Sequence, residues 1–179
     1  MHTQLVKDSL TGLLKHSSIK EAVEQEVLRA QRSGRPVTLA MLDIDHFKAV
    51  NDTYGHGMGD VVISSLAMLL RQRLRQSDIV GRYGGEEFVA ILLECDIEHG
   101  RELLDDIRQR FASLSFGHLG RDFHCTVSAG IASTLQFKGS NGAALLAAAD
   151  AALYVAKRAG RNQVHTAGLE VLTEEVDKP

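Results

Sequence analysis

The chain has 179 residues, 44% of them hydrophobic, which is enough for one sizeable core and short for two ordinary domains. Its 20 basic and 23 acidic residues leave a formal net charge of −3, excluding a sequence-wide cationic field that would hold nucleic acid or an anionic membrane. No apolar run reaches about 18 residues and no signal-peptide pattern is present, so the sequence predicts a cytoplasmic protein, or the cytoplasmic part of a longer one, with Cys95 and Cys125 as buried reduced thiols.

Along the chain, helical and extended patterns alternate. The segment "SSIKEAVEQEVLRAQRSGRP" predicts a first helix, opened by a capping box between Ser18 and Glu21, apolar at Ile19, Val23, Val27 and Ala30, and closed by Gly34 and Pro36. Val37 to Asp45 reads as a buried strand that runs into carboxylates, followed by a short helical or turn segment, "HFKAVNDTYGHGMGD". Val62, Ile63, Leu66, Leu69, Leu70 and Leu74 form the stripe of a second long helix, which "RQSD" interrupts. A hairpin follows, Ile79 to Tyr83 and Glu86 to Leu93, with Gly84-Gly85 expected to supply the positive φ angles of a two-residue primed turn.

Ile97 to Ser113 predicts another helix, and "FHCTVSAGIAS" a strand with Phe123, Cys125, Val127, Ala129 and Ile131 on one face. "NGAALLAAADAALYVAKRAG" is strongly helix-prone up to Gly160, "NQVHTA" predicts a short edge strand, and the acidic tail from Glu170 reads as frayed. These elements make one domain over residues 1–167 and a tail over 168–179, without internal repeats. The hairpin requires an antiparallel pair, so a purely parallel doubly wound sheet is excluded and the class is α/β with a mixed sheet covered by helices.

Asp43 and Asp45 end one predicted strand, and Glu86 and Glu87 begin another. Neighbouring strands would bring these carboxylates within a few ångströms of one another, an arrangement that repels itself unless a cation is present. Magnesium takes oxygen ligands from one or two carboxylates plus substrate phosphates, so the pattern points to a nucleotide-polyphosphate site rather than to a solvated acidic loop.

"DSLTGLLKH" (Asp8 to His16), "DIDHFKAVNDTYGHGMGD" (Asp43 to Asp60), "RYGGEEF" (Arg82 to Phe88), "TVSAGIA" (Thr126 to Ala132) and "ADAALYVAKRAGRN" (Ala149 to Asn162) resemble, in order and spacing, the signatures of the GGDEF family of diguanylate cyclases. The resemblance implies a mixed five-stranded sheet, mainly antiparallel and wrapped by helices, similar to the palm of nucleotide cyclases and polymerases. It also implies condensation of two GTP into cyclic di-GMP with two magnesium ions per site, or manganese in their place. Asp43 corresponds to the principal metal ligand, helped by the carbonyl of Ile44. Glu86 corresponds to a metal ligand and to the group that deprotonates the 3′-hydroxyl, and Glu87 to a further acidic ligand. Strand alternation makes the two glutamates inequivalent without saying which one faces the metal.

The same resemblance places Lys48, a catalytic residue beside Asp43 and Glu86, and the amides around Phe47 on the β- and γ-phosphates, where a helix start makes an anion site. Lys157 and Arg161, four apart on one predicted helical face, would reach the same phosphates, although a solvated basic helix end is the alternative. Asn51 and Asp60 match positions that read guanine, with Asp60 alternatively a helix N-cap. His56 is either a substrate contact or a turn residue. No histidines show zinc spacing. "RQSD", Arg75 to Asp78, resembles the family's inhibitory R-x-x-D motif for the product, and Arg29 a position from which a neighbouring subunit contributes an arginine.

Two departures stand out, Asp106 where some relatives carry a further arginine and Lys15-His16 in place of Asn-Arg. One GTP per site implies a transient homodimer. No sensory domain is visible ahead of "DSLTG", and an absent N-terminal one is expected. A catalytically weak domain that binds cyclic di-GMP or GTP as a regulatory module, and a cyclase that accepts ATP, are the alternative readings. Loss of Asp43 or of a hairpin acid would favour the silent module, and both are present.

Overall fold

The computed structural model describes residues 6–168, apart from the side chain of His118, so the predicted acidic tail from Glu170 lies outside the described residues. In chain order the elements are α1 (His16–Ser33), β1 (Val37–Ile44), α2 (Phe47–Tyr54), α3 (His56–Arg73), β2 (Ile79–Arg82), β3 (Glu87–Leu93), α4 (Ile97–Ser113), β4 (Phe116–His118), β5 (Arg121–Phe123), β6 (Val127–Ser133), α5 (Gly142–Arg158) and β7 (Val164–Thr166). Five strands form one sheet in the order β2-β3-β1-β6-β7, and β4 and β5 form a separate hairpin. β1 runs antiparallel to both β3 and β6, β2 is antiparallel to β3, and β7 adds at the edge parallel to β6. The mixed, mainly antiparallel sheet expected from the sequence is therefore present.

Every residue of β1 and of β6 is buried, because helices cover both faces of the sheet. Side chains alternate between two cores. Ala40, Leu42, Ile44, Phe88, Ala90 and Leu92 meet the apolar stripes of α3 and α4, while Leu39, Met41, Val89 and Ile91 meet those of α1 and α5. Burying each large aliphatic side chain contributes about 1.5–3 kcal/mol, so these two layers hold the sheet rigidly where its ends carry polar groups. Helix α5 approaches β6 so closely that a Cβ on Gly130 would fall 2.1 Å from the carbonyl oxygen of Ala149, which leaves glycine as the residue that fits there.

Several local expectations change. The primed two-residue turn lies at Leu119-Gly120, with φ angles of 50° and 78°, closing the β4–β5 hairpin at the His118–Arg121 pair. Neither Gly84 nor Gly85 takes a left-handed φ. The signature turn is wider, with Tyr83 and Gly84 both donating to the carbonyl of Glu87, so Gly84, Gly85 and Glu86 all lie in the loop. The single strand expected over Phe123 to Ser133 breaks before Val127, because β1 ends at Ile44 opposite Val127 and, past the bond from the Asp45 amide to the Thr126 carbonyl, the upstream segment leaves β1. There, Arg121–Phe123 pairs with Phe116–His118.

Ser18 does not cap α1, which begins two residues earlier after Lys15, and its hydroxyl accepts from the amide of Val6. Asp60 is not an N-cap, since α3 starts at His56 with Gly55 before it. Gly34, at φ 75°, closes α1 as expected.

Candidate active site

The strand register sets the centre of the site. Asp43, near the end of β1, lies directly across from Glu87, the first residue of β3, and the amide of Ile44 donates to the carbonyl of Glu86 at 3.2 Å. By alternation Asp43 and Glu87 share the face covered by α5, whose Lys157 places Nζ 2.8 Å from Asp43 Oδ2. Asp43 has only 9% of its side chain exposed. Burial pushes its carboxyl above the usual range; Lys157 opposes this, and the carboxylates of Glu86 and Asp45 add to it. Burial also raises Glu87, and Asp43 and Asp150 raise it further.

Among the described residues no three His, Cys, Asp or Glu side chains converge closely enough to hold a metal by themselves. The donor set nonetheless fits a hard divalent cation. Burial first and the neighbouring carboxylates second raise the Asp43 and Glu87 carboxyls, and an ammonium group already sits on Asp43, so the site favours positive charge. Magnesium needs only one or two protein carboxylates when phosphates and water complete its shell, so a closed cage of acids is not required.

The turn that carries Glu86 is clamped from the N-terminal side, which sequence reasoning missed. Arg82 donates to the carbonyl of Gly85 through Nε and Nη2 at 3.1 and 2.8 Å and reaches Asp8 through Nη1 at 3.2 Å. Burial works to raise the Asp8 carboxyl, but the hydroxyl and amide of Thr11 together with Arg82 leave it below the ordinary value. His16 Nδ1 donates to the carbonyl of Tyr83 at 2.7 Å, with its ring 4.3 Å from the Tyr83 ring. Thus "DSLTG" and the Lys15-His16 departure both act on the backbone of the signature turn. The matching signal was the pairing of a short acidic turn with Arg82, legible as motifs but not as a contact.

On the opposite face, α2 begins at Phe47 after His46 at φ 55°, and no side chain caps its first turn. Lys48 is exposed. Asn51 Oδ1 is a buried oxygen without a hydrogen-bond partner, and Gly59 of α3 sits against it, since a Cβ there would fall 2.0 Å away. His56 opens α3 and Asp60 lies exposed in its second turn, so His56 is a helix residue rather than a turn residue. Lys157 and Arg161 do not share a helical face. α5 ends at Arg158, and Arg161 follows Gly160 with a left-handed φ of 63°.

The R-x-x-D motif lies at the far end of β3, beside Leu93, about 20 Å from Glu87 at about 3.3 Å per residue. Asp78, with 1% of its side chain exposed, accepts from the amides of Arg75 and Leu93 at 3.0 and 3.1 Å, and Arg75 donates back to the carbonyl of Leu93. Arg75 and Asp78 line a groove of about 470 Å³ with Arg73, Asp96 and His99. Arg29, paired with Glu26 at 3.1 Å, lines an adjoining groove of about 360 Å³ that shares Pro36 and Glu94 with the first. Asp106 is paired with Arg73 and Arg110.

Acids at the end of the central antiparallel pair thus lie in a sheet covered by helices on both faces, beside a loop that carries Gly84 and Gly85. A family model described as "Diguanylate cyclase, GGDEF domain" matches residues 5–163, and the chain belongs to that family. It is 47% identical over 161 residues to diguanylate cyclase DgcP of Pseudomonas aeruginosa, covering 89% of this chain and 24% of that protein. It is 37% identical over 161 residues to the response regulator PleD of Caulobacter vibrioides, covering 89% of this chain and 35% of that protein. The chain therefore spans about a quarter to a third of the length of these relatives. Among solved structures, it is similar to the GGDEF domain of DgcB from Caulobacter crescentus in complex with c-di-GMP, with a TM-score of 0.87 and 34% identity over 93% of this chain and 98% of that one. It is also similar to the active GGEEF domain of a diguanylate cyclase from Vibrio cholerae, with a TM-score of 0.81 and 34% identity over 87% of this chain and 97% of that one. The hairpin here reads Gly84-Gly85-Glu86-Glu87-Phe88, the same five-letter signature.

Proposed function

We propose that this domain condenses two GTP into cyclic di-GMP. In each half-reaction the 3′-oxygen of one GTP loses its proton and bonds to the α-phosphorus of the other, and the bond to pyrophosphate breaks. Two such steps close the ring and release two pyrophosphates. The observation that carries this reading is the cross-strand pair of buried Asp43 and half-buried Glu87, with Glu86 in the adjoining turn and Lys157 seated on Asp43.

Asp43, the carbonyl of Ile44, Glu86 and Glu87 would hold two magnesium ions, or manganese in their place, which would offset the negative charge of the attacking oxygen and the departing pyrophosphate. Glu86, in the loop rather than in the ladder, takes the proton of the 3′-hydroxyl. Lys48 and the uncapped first amides of α2, from Phe47 onward, hold β- and γ-phosphates, where a helix start favours anions. Lys157 shifts from Asp43 to the same phosphates, joined by Arg161. Asn51, whose buried oxygen lacks a partner, reads the guanine edge with Asp60, and His56 flanks them.

Each site binds one GTP, so two chains face each other in a transient two-fold dimer. Cyclic di-GMP binds the Arg75 groove as an inhibitor, with Asp78 orienting the loop and Arg29 arriving from a second copy. No helix of the described residues is long and apolar enough to cross a membrane, and a bacterial cytoplasmic setting under an N-terminal sensory domain suits the chemistry. The test is incubation with GTP and magnesium followed by identification of the product. Wild type should form cyclic di-GMP, and Glu86→Gln should slow this by at least about a hundredfold with the fold intact. Activity within a few-fold of wild type would remove Glu86 from its role, and no cyclic product from wild type would favour a GTP- or product-binding module.

A further inference from the structure

Asp45 is buried to 4% exposure at the end of β1 and has no role in the reading above. Its side chain is satisfied by three donors from other parts of the chain. Oδ1 accepts from the Ser128 hydroxyl at 2.7 Å, and Oδ2 accepts from the Thr126 hydroxyl at 2.7 Å and from the backbone amide of Asn162 at 3.0 Å. The Asn162 amide also lies 3.1 Å from the Ser128 hydroxyl oxygen. One side chain thereby joins the end of β1, the start of β6 and the loop between α5 and β7.

That loop is unusual. Arg161 and Asn162 are consecutive non-glycine residues with left-handed φ angles of 63° and 49°, a conformation that persists only where surrounding structure over-determines it. On one side the amide of Arg161 donates to the carbonyl of Ala156, and on the other Asn162 Oδ1 accepts from Arg108 at 3.0 Å. Between them, the peptide joining Arg161 to Asn162 rests on Asp45.

We infer that Asp45 is a positioning residue for the triphosphate: by gripping the Asn162 amide it holds Arg161 in its left-handed conformation at the carboxylate end of the site. The inference rests on the assignment of Arg161 to the phosphates. Without the grip the loop relaxes to ordinary backbone angles, Arg161 leaves the position beside β1, and the phosphates lose a guanidinium while the guanine site at Asn51 on α2 is untouched.

The test is calorimetric titration, with magnesium, of the α,β-methylene analogue of GTP, which cannot release pyrophosphate, and of GMP. Wild type is compared with Arg161→Ala, Asp45→Ala, Asp45→Asn, Thr126→Val and the double variant Asp45→Ala/Arg161→Ala. Asp45→Ala should weaken the analogue about tenfold, as loss of one charge-assisted contact does, and leave GMP within about twofold. The double variant should bind the analogue no more weakly than Arg161→Ala. Should Asp45→Ala not fold, Thr126→Val and Asp45→Asn, each removing part of the grip, must show the same selective loss in smaller measure. Equal weakening of GMP and analogue, or no weakening in any Asp45 or Thr126 variant that folds, overturns the inference while leaving the phosphate role of Arg161 in place. Unchanged analogue affinity in Arg161→Ala removes that role and the inference with it.

Discussion

Gly59→Ala separates recognition from folding. A Cβ at Gly59 would fall 2.0 Å from Asn51 Oδ1, 3.1 Å from Asn51 Cγ and 3.2 Å from Phe47 Cζ, so the amide oxygen must withdraw by about 1.4 Å to reach the 3.4 Å of ordinary contact. That oxygen has no hydrogen-bond partner to lose, so the rotation costs no more than an off-rotamer side chain, about 0.5–1.5 kcal/mol. Alanine in place of glycine within α3 returns about 0.5–1 kcal/mol of helix propensity. The two effects nearly cancel, and the melting temperature should stay within about 2–4 °C of wild type for a chain of this size. Binding behaves differently. An Asn51 amide turned away from the guanine edge forfeits a hydrogen bond and leaves base donors unpaired, about 1–3 kcal/mol, or roughly 5- to 150-fold in affinity. Titration with the α,β-methylene analogue of GTP, run beside Asn51→Ala and accompanied by thermal melts, reads both quantities. An affinity within twofold of wild type in a folded Gly59→Ala would refute the placement of Asn51 as base reader, and a collapsed melting temperature would refute the view that the amide yields easily.

Glu87→Gln should raise the melting temperature of the metal-free domain at pH 7. Burial and the neighbouring Asp43 and Asp150 raise the Glu87 carboxyl in the folded state, so its ionisation destabilises the fold as pH climbs from the unfolded value of 4.5 through the raised one. Melts in chelator from pH 4 to 8 should show the gain shrink toward pH 4.5, and a lower melting temperature at pH 7 would contradict the carboxylate repulsion. Arg75→Ala and Asp78→Ala should part company. The exposed arginine is removable with little loss of stability, whereas Asp78→Ala strips an acceptor from two amides and should cost about 1–3 kcal/mol in urea unfolding. In calorimetry Arg75→Ala should lose about 1.5–3 kcal/mol of cyclic di-GMP binding, and equal product affinities would reduce "RQSD" to a helix end. Specific activity should rise with enzyme concentration, because two chains supply the two GTP molecules; a flat profile over a hundredfold dilution would exclude the dimer.

Long apolar periodicities were legible because they depend on local spacing. The helix over Ile97–Ser113 appears with its predicted bounds, and the edge strand in "NQVHTA" is β7. The two pairs of acids at strand ends were also legible, since a strand that runs from buried apolar residues into carboxylates marks where the sheet meets solvent. Local conformations were less so. Gly84-Gly85 satisfied the composition of a primed turn, yet Arg82, anchored by Asp8 from 74 residues away, holds Gly85 in a wider loop. The left-handed pair went instead to Leu119-Gly120, where only the second residue is a glycine.

The order of side chains alone marked the residues of the two cores, the antiparallel hairpin and the acidic ends of the central strands, because burial and alternation follow from that order. Contacts in the folded chain set Asp43 opposite Glu87 with Lys157 upon it, turned Asp78 inward to accept from backbone amides, and carried Arg161 off the helix of Lys157 into a strained loop resting on Asp45. Each of these depends on contacts between segments far apart in the chain. Their free energies come from burial and from partners that no local pattern of residues records.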